Sequence, residues 1–214
     1  MATTVESATR RVGVADVAPT TYERFAGVCA IGAGVAVFLY SIAFIVLRSD
    51  LLSGLFLLLM GLLSSAALVA VYERLRPTEP SFALLGLLLA VIGALGAAVH
   101  GGYDLAVALH PPAATSADLP SQIDPRGLLT FGVSGGGLWM LAWLIVRDGA
   151  LPRPLGYLGY LAAALAIVLY LGRLIVLTPS NPVILGPALV AGFLVNPIWY
   201  LWLGTVLIRG DQRR

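Results

Sequence analysis

The chain has 214 residues, of which 59% are hydrophobic and 11% charged, and its formal net charge is +2. Its mean hydropathy is +0.92. A soluble globular domain carries roughly 25% charged residues, so this composition excludes an ordinary water-soluble domain, which would expose large apolar patches. The small net charge and the lack of a basic stripe exclude a nucleic-acid partner; the partner such a surface requires is membrane lipid.

Backbone polar groups find no water in the bilayer centre, so spanning segments are helices or closed barrels. Barrels alternate over short segments, whereas the apolar runs here are long and continuous, which selects helices. The fold class is therefore all-α: a polytopic membrane helix bundle of about six transmembrane helices. Residues 1–24 are polar and Thr/Ala-rich and read as a disordered cytoplasmic arm. The first apolar run starts too late and runs too long for an ordinary signal peptide, so it is expected to stay as a span.

The spans follow within a single domain over residues 25–208. The first runs from Phe25 to Leu47 and turns at Arg48-Ser49-Asp50. The second runs from Leu51 to Leu75, with Pro77 and Pro80 breaking the chain behind it. The third runs from Phe82 to Leu109 and stops at His110-Pro111-Pro112. Its excess length predicts a tilt or a break at Gly101-Gly102. A polar loop with Asp118, Asp124 and Arg126 leads to the fourth span, Gly127 to Val146, which Arg147-Asp148-Gly149 ends. Leu155 to Leu177 forms the fifth, closed by Pro179 and Pro182, and Ile184 to Ile208 the sixth. Residues 209–214 make a short cytoplasmic tail.

All basic residues are arginine. With six spans, one side of the membrane collects Arg10, Arg11, Arg24, Arg74, Arg76, Arg147, Arg153, Arg209, Arg213 and Arg214, and the other only Arg48 and Arg126. This asymmetry predicts that both termini are cytoplasmic. Small residues recur every fourth position in the third span, as Gly86, Ala90, Ala94, Ala98 and Gly102, with Gly93, Ala97 and Gly101 as a second row. Such rows let backbones approach closely, which predicts that this helix forms the centre of the bundle. Gly132 and Gly136 offer the same spacing in the fourth span. These faces serve packing within the chain, or a homo-oligomer or membrane protein partner.

Soluble-enzyme constellations are absent: there is no phosphate-binding Gly-rich loop, no G-x-S-x-G elbow and no H-E-x-x-H pair. The sequence assigns no catalytic residue, no cofactor and no metal. Ser134-Gly135-Gly136-Gly137 lies within a span and reads as helix packing. The lone Cys29 lies in an apolar run and reads as a small packing residue.

Polar groups at membrane depth are costly and therefore informative. His100 and Asp104 are four apart, on the face begun by Gly93 and Ala97. Arg173 continues the row Gly159, Ala163, Ala166 and Tyr170. All three fall in the outer half of the membrane, and their matched depth predicts an Asp104–Arg173 ion pair with His100 one turn deeper. That pair either orients two helices or belongs to a ligand or proton site. Asn196-Pro197 interrupts the sixth span and predicts a kink or a discontinuous helix.

Leu75-Arg76-Pro77, Leu151-Pro152-Arg153-Pro154-Leu155-Gly156 and Pro197-Ile198-Trp199-Tyr200-Leu201-Trp202-Leu203-Gly204 resemble the motifs of a family of bacterial six-span membrane proteins, the domain of unknown function 4386 family. The layout is similar over nearly the whole chain from Phe25. The resemblance implies architecture and location, and supplies no substrate or catalytic residue. The leading expectation is a non-enzymatic structural or accessory component of the membrane. The alternative is a small transporter or membrane receptor for a polar solute, using the His100, Asp104 and Arg173 cluster. A lipid-modifying enzyme ranks third.

Overall fold

The computed structural model describes residues 18–111, 125–176 and 181–210. Six helices are long and apolar enough to cross a membrane: α1 (Thr21–Leu47), α2 (Asp50–Leu75), α3 (Pro80–Leu109), α4 (Leu128–Asp148), α5 (Arg153–Ile175) and α6 (Pro182–Arg209). The chain is thus a multi-pass membrane helix bundle. Most of the arm expected over residues 1–24, the loop carrying Asp118 and Asp124, Pro179 and most of the tail lie outside the described residues.

Helix ends follow local chemistry. Thr20 caps α1: its Oγ1 accepts from the Glu23 amide at 3.1 Å, and Glu23 Oε2 accepts from the Thr20 amide at 2.8 Å. This reciprocal cap starts the helix four residues before the apolar run at Phe25. Glu23 also receives Arg74 Nε from the end of α2. Asn181 caps α6, its Oδ1 accepting from Val183 N at 3.0 Å. Pro80 and Pro182 begin helices, where a missing amide proton costs nothing. Gly149 ends α4 at φ 68°, a conformation in which only glycine is unstrained.

Sequential helices pack antiparallel, and α6 closes on α1, so the six form a ring. Glycines set the spacing at its seams. A Cβ on Gly61 of α2 would collide with the Ala94 carbonyl of α3, and one on Gly137 of α4 with the Ala90 backbone. Between α1 and α6, a Cβ on Gly27 would fall 2.9 Å from the Gly204 carbonyl. Both small-residue rows of α3 are therefore spent on neighbours within the chain. The fourth span uses Gly135 and Gly137 for its tightest approaches; Gly136 faces open space, and Gly132 meets the Tyr170 ring.

Of the tilt or break expected in α3 the break is absent, and one expectation for the helix is corrected. It is a ring member, not the centre: Leu84, Leu88, Ile92, Leu95 and Val99 form an exposed stripe along its outer face, which belongs to lipid. Small residues on two flanks mean two neighbours, not enclosure. Nor is α3 broken at Gly101-Gly102, where it runs as continuous α-helix. Gly101 instead admits α2, since a Cβ there would strike the Leu57–Leu58 and Gly54 backbone.

The two ends of the ring are filled differently. At the end bearing the termini, Leu75, Leu141, Leu144, Leu155, Leu203 and Leu207 are fully buried and fill the axis. At the other end several inward positions are small, among them Ser41, Gly135, Ala166 and Gly192, and the axis stays open. Three π-helical turns occur in that open half: Ile42–Leu47, Leu128–Val133 and Ala191–Val195. Such turns insert an extra residue, widen the helix and recur at functional sites. The last one explains Asn196-Pro197. The Asn196 amide bonds to Ala191 O, five residues back, and this register change accommodates the proton that Pro197 lacks.

Candidate functional site

The open half of the ring encloses a cavity of about 430 Å³, within the range of small-molecule sites, roughly 300–1,000 Å³. His100, Asp104, Arg173 and Asn196 all line it. Pro197 does not; it is buried toward α1, where a Cβ on Gly34 would lie 3.1 Å from its carbonyl oxygen. The row Ala166, Tyr170 and Arg173 forms the α5 wall, so helical periodicity delivers Arg173 to the interior as expected.

Asp104 is the hinge of the polar end. His100 Nε2 stands 3.5 Å from Asp104 Oδ2, one helical turn away on α3. Arg126 Nη1 donates to Asp104 Oδ1 at 3.3 Å, and its guanidinium lies 4.0 Å from the Tyr103 ring centroid, a cation–π distance. Asp104 is therefore held by Arg126 and His100. The helical turn Pro125–Gly127 folds Arg126 back onto the end of α3. Arg173 reaches the same cavity from α5.

Thr130 extends the network. Its hydroxyl donates to the Arg126 carbonyl at 2.7 Å, so toward His100 Nδ1, at 3.5 Å, its oxygen accepts.

The cavity floor is Trp199, 1% exposed. Its indole N–H donates to the Leu155 carbonyl at 3.1 Å across the α5–α6 interface. Gly159 makes room for the ring, since a Cβ there would lie 3.1 Å from Trp199 Nε1. Between floor and charged end, Tyr40, Tyr170 and Asn196 face the cavity. No side-chain hydrogen bond of these three occurs among those of the described residues.

Arg126 and Thr130 were not singled out as site residues by sequence reasoning, which left Arg126 in a surface loop. The signal that could have found them was their four-residue spacing, the same as that of His100 and Asp104, immediately before an apolar run. Among the described residues no group of three or more His, Cys, Asp and Glu could hold a metal ion. Comparison with protein-family models, curated proteins and solved structures returns no match.

Proposed function

We propose that this protein binds a small polar solute inside its helix bundle, as a membrane receptor or small transporter. The observation that carries this reading is the cavity itself. It is closed at the terminus-bearing end by packed leucines and Trp199, and it presents His100, Asp104, Arg126 and Arg173 together at its polar end. A purely structural ion pair needs no adjoining cavity of solute size, and three π-helical turns around one void add cost without adding packing. The closed end makes the arrangement a dead-end pocket. A receptor functions in that state, whereas transport requires α6 to part from the leucine core, and the π-turn before Pro197 is a natural place to bend.

The arginine distribution supports cytoplasmic termini, which would open the cavity to the outer face. The boundary motifs support placement in the domain of unknown function 4386 family. Cysteine labelling tests the pocket and its sidedness together. In a Cys29→Ala background, Asn196→Cys should react in intact cells with a charged, membrane-impermeant thiol reagent. Reaction only in inside-out vesicles would reverse the orientation. No reaction from either face would remove the solute-accessible cavity and the function built on it.

A further inference from the structure

The arginines at the terminus-bearing end divide into two groups. Arg74 pairs with Glu23, Arg76 Nε with Glu73 Oε2 at 2.9 Å, and Arg147 Nη2 with Glu79 Oε1 at 3.0 Å. Arg24 and Arg209 are exposed, and among the described residues neither enters an ion pair. Both stand at one end of the α1–α6 seam. A Cβ on Gly27, one turn after Arg24, would meet Ile208 Cγ1 at 2.6 Å, and Ile208 is the chain neighbour of Arg209. Each arginine heads an apolar strip. Val28 and Val35 follow Arg24 on α1, and Leu201 and Ile198 precede Arg209 on α6; all four are exposed. Their spacing keeps each strip on one face of its helix. The strips run side by side, since a Cβ on Gly34, next to Val35, would lie 3.1 Å from Leu201 Cγ.

We propose that the lipid-facing side of the α1–α6 seam binds an anionic phospholipid of the surrounding bilayer, with its phosphate at Arg24 and Arg209 and an acyl chain along the two strips. From Arg24 to Val35 the helix rises about 16 Å, close to one leaflet of a hydrocarbon core roughly 30 Å thick. A chain lying on the strips therefore carries its headgroup to the level of the arginines. Guanidinium groups donate charge-assisted hydrogen bonds to phosphate oxygens. Two cations with no acidic partner in the protein favour a headgroup of net negative charge over one whose own ammonium already balances its phosphate. Basic sites between spans at the membrane boundary recognise anionic headgroups in this way. The site lies on the outside of the ring and does not depend on the cavity.

The test titrates the full-length protein in mild detergent with phosphatidylglycerol or with phosphatidylcholine of the same acyl chains, and counts bound lipid by native mass spectrometry. A basic group at an anionic membrane surface contributes roughly a fivefold preference, so with two arginines phosphatidylglycerol should bind about twenty-five-fold more tightly. Arg24→Gln with Arg209→Gln should lose most of that preference. Arg76→Gln with Arg147→Gln removes the same two charges from the same end of the protein, at α2 and α4, and should keep it. An equal loss in both double variants would reduce the effect to overall charge and overturn the site. Equal binding of the two lipids by the unaltered protein would also overturn it, and that comparison stands even if a variant fails to fold.

Discussion

Replacing Trp199 measures how the cavity floor is held. The indole is wholly buried, donates one hydrogen bond of 3.1 Å across the α5–α6 interface, and packs on Gly159, where a Cβ would stand 3.1 Å from its Nε1. Trp199→Phe keeps most of the ring volume and loses the N–H donor. Side-chain hydrogen bonds between membrane helices average about 0.6 kcal/mol and reach ~1.7 kcal/mol, so the expected loss is on the order of 1 kcal/mol. Trp199→Ala also empties the floor and joins it to the cavity above. Truncating a buried aromatic costs about 3–5 kcal/mol, and the lower end applies because part of the space already borders a void. Gly159→Ala places a methyl 3.1 Å from both Trp199 Nε1 and the Ala142 Cβ, an overpacking expected to cost about 1–3 kcal/mol. Combining Gly159→Ala with Trp199→Phe removes the atom in its way, so the double variant should be more stable than the sum of the singles by about 1 kcal/mol. Reversible unfolding in mixed detergent micelles, followed by circular dichroism, gives all four values. Strict additivity, within about 0.3 kcal/mol, would refute the contact between Gly159 and the indole on which the coupling depends.

Two further outcomes follow from the same packing. Ala94→Leu, at a position 6% exposed against Gly61, should destabilise by about 1–3 kcal/mol, whereas Leu88→Ala, 51% exposed on the lipid face, should be clearly milder in the same unfolding measurement. Asp104→Leu with Arg126→Leu should preserve the fold better than Asp104→Leu alone, because the single change removes the carboxylate that Arg126 faces at 3.3 Å while keeping the guanidinium charge; the melting temperatures of the three proteins check this, and a double variant no better than the single would show that the pair is not the main partner of either residue.

Span number and limits were legible in the sequence because they depend on local properties. Run length, hydropathy, prolines and arginines mark where a helix can enter and leave lipid, and the observed helices follow those limits within a few residues. The shared face of His100 and Asp104 and the inward row ending at Arg173 were legible for the same reason: helical periodicity sets direction without any tertiary information. Neighbours were not legible. Periodicity says which side of α3 is small but not whether one helix or several pack there, so two flanks of a ring member looked like a central helix. Nor could the pattern reveal that Arg126, beyond a long connection, turns back to claim Asp104. The π-helical turns left no signature in composition, since Ile42–Leu47 and Ala191–Val195 are as apolar as their neighbours. Closing six helices on one axis packed leucines together at one end and left a void lined by aromatic, polar and small residues at the other. The cavity exists only through that closure, because it is a property of the space between helices and of no helix alone.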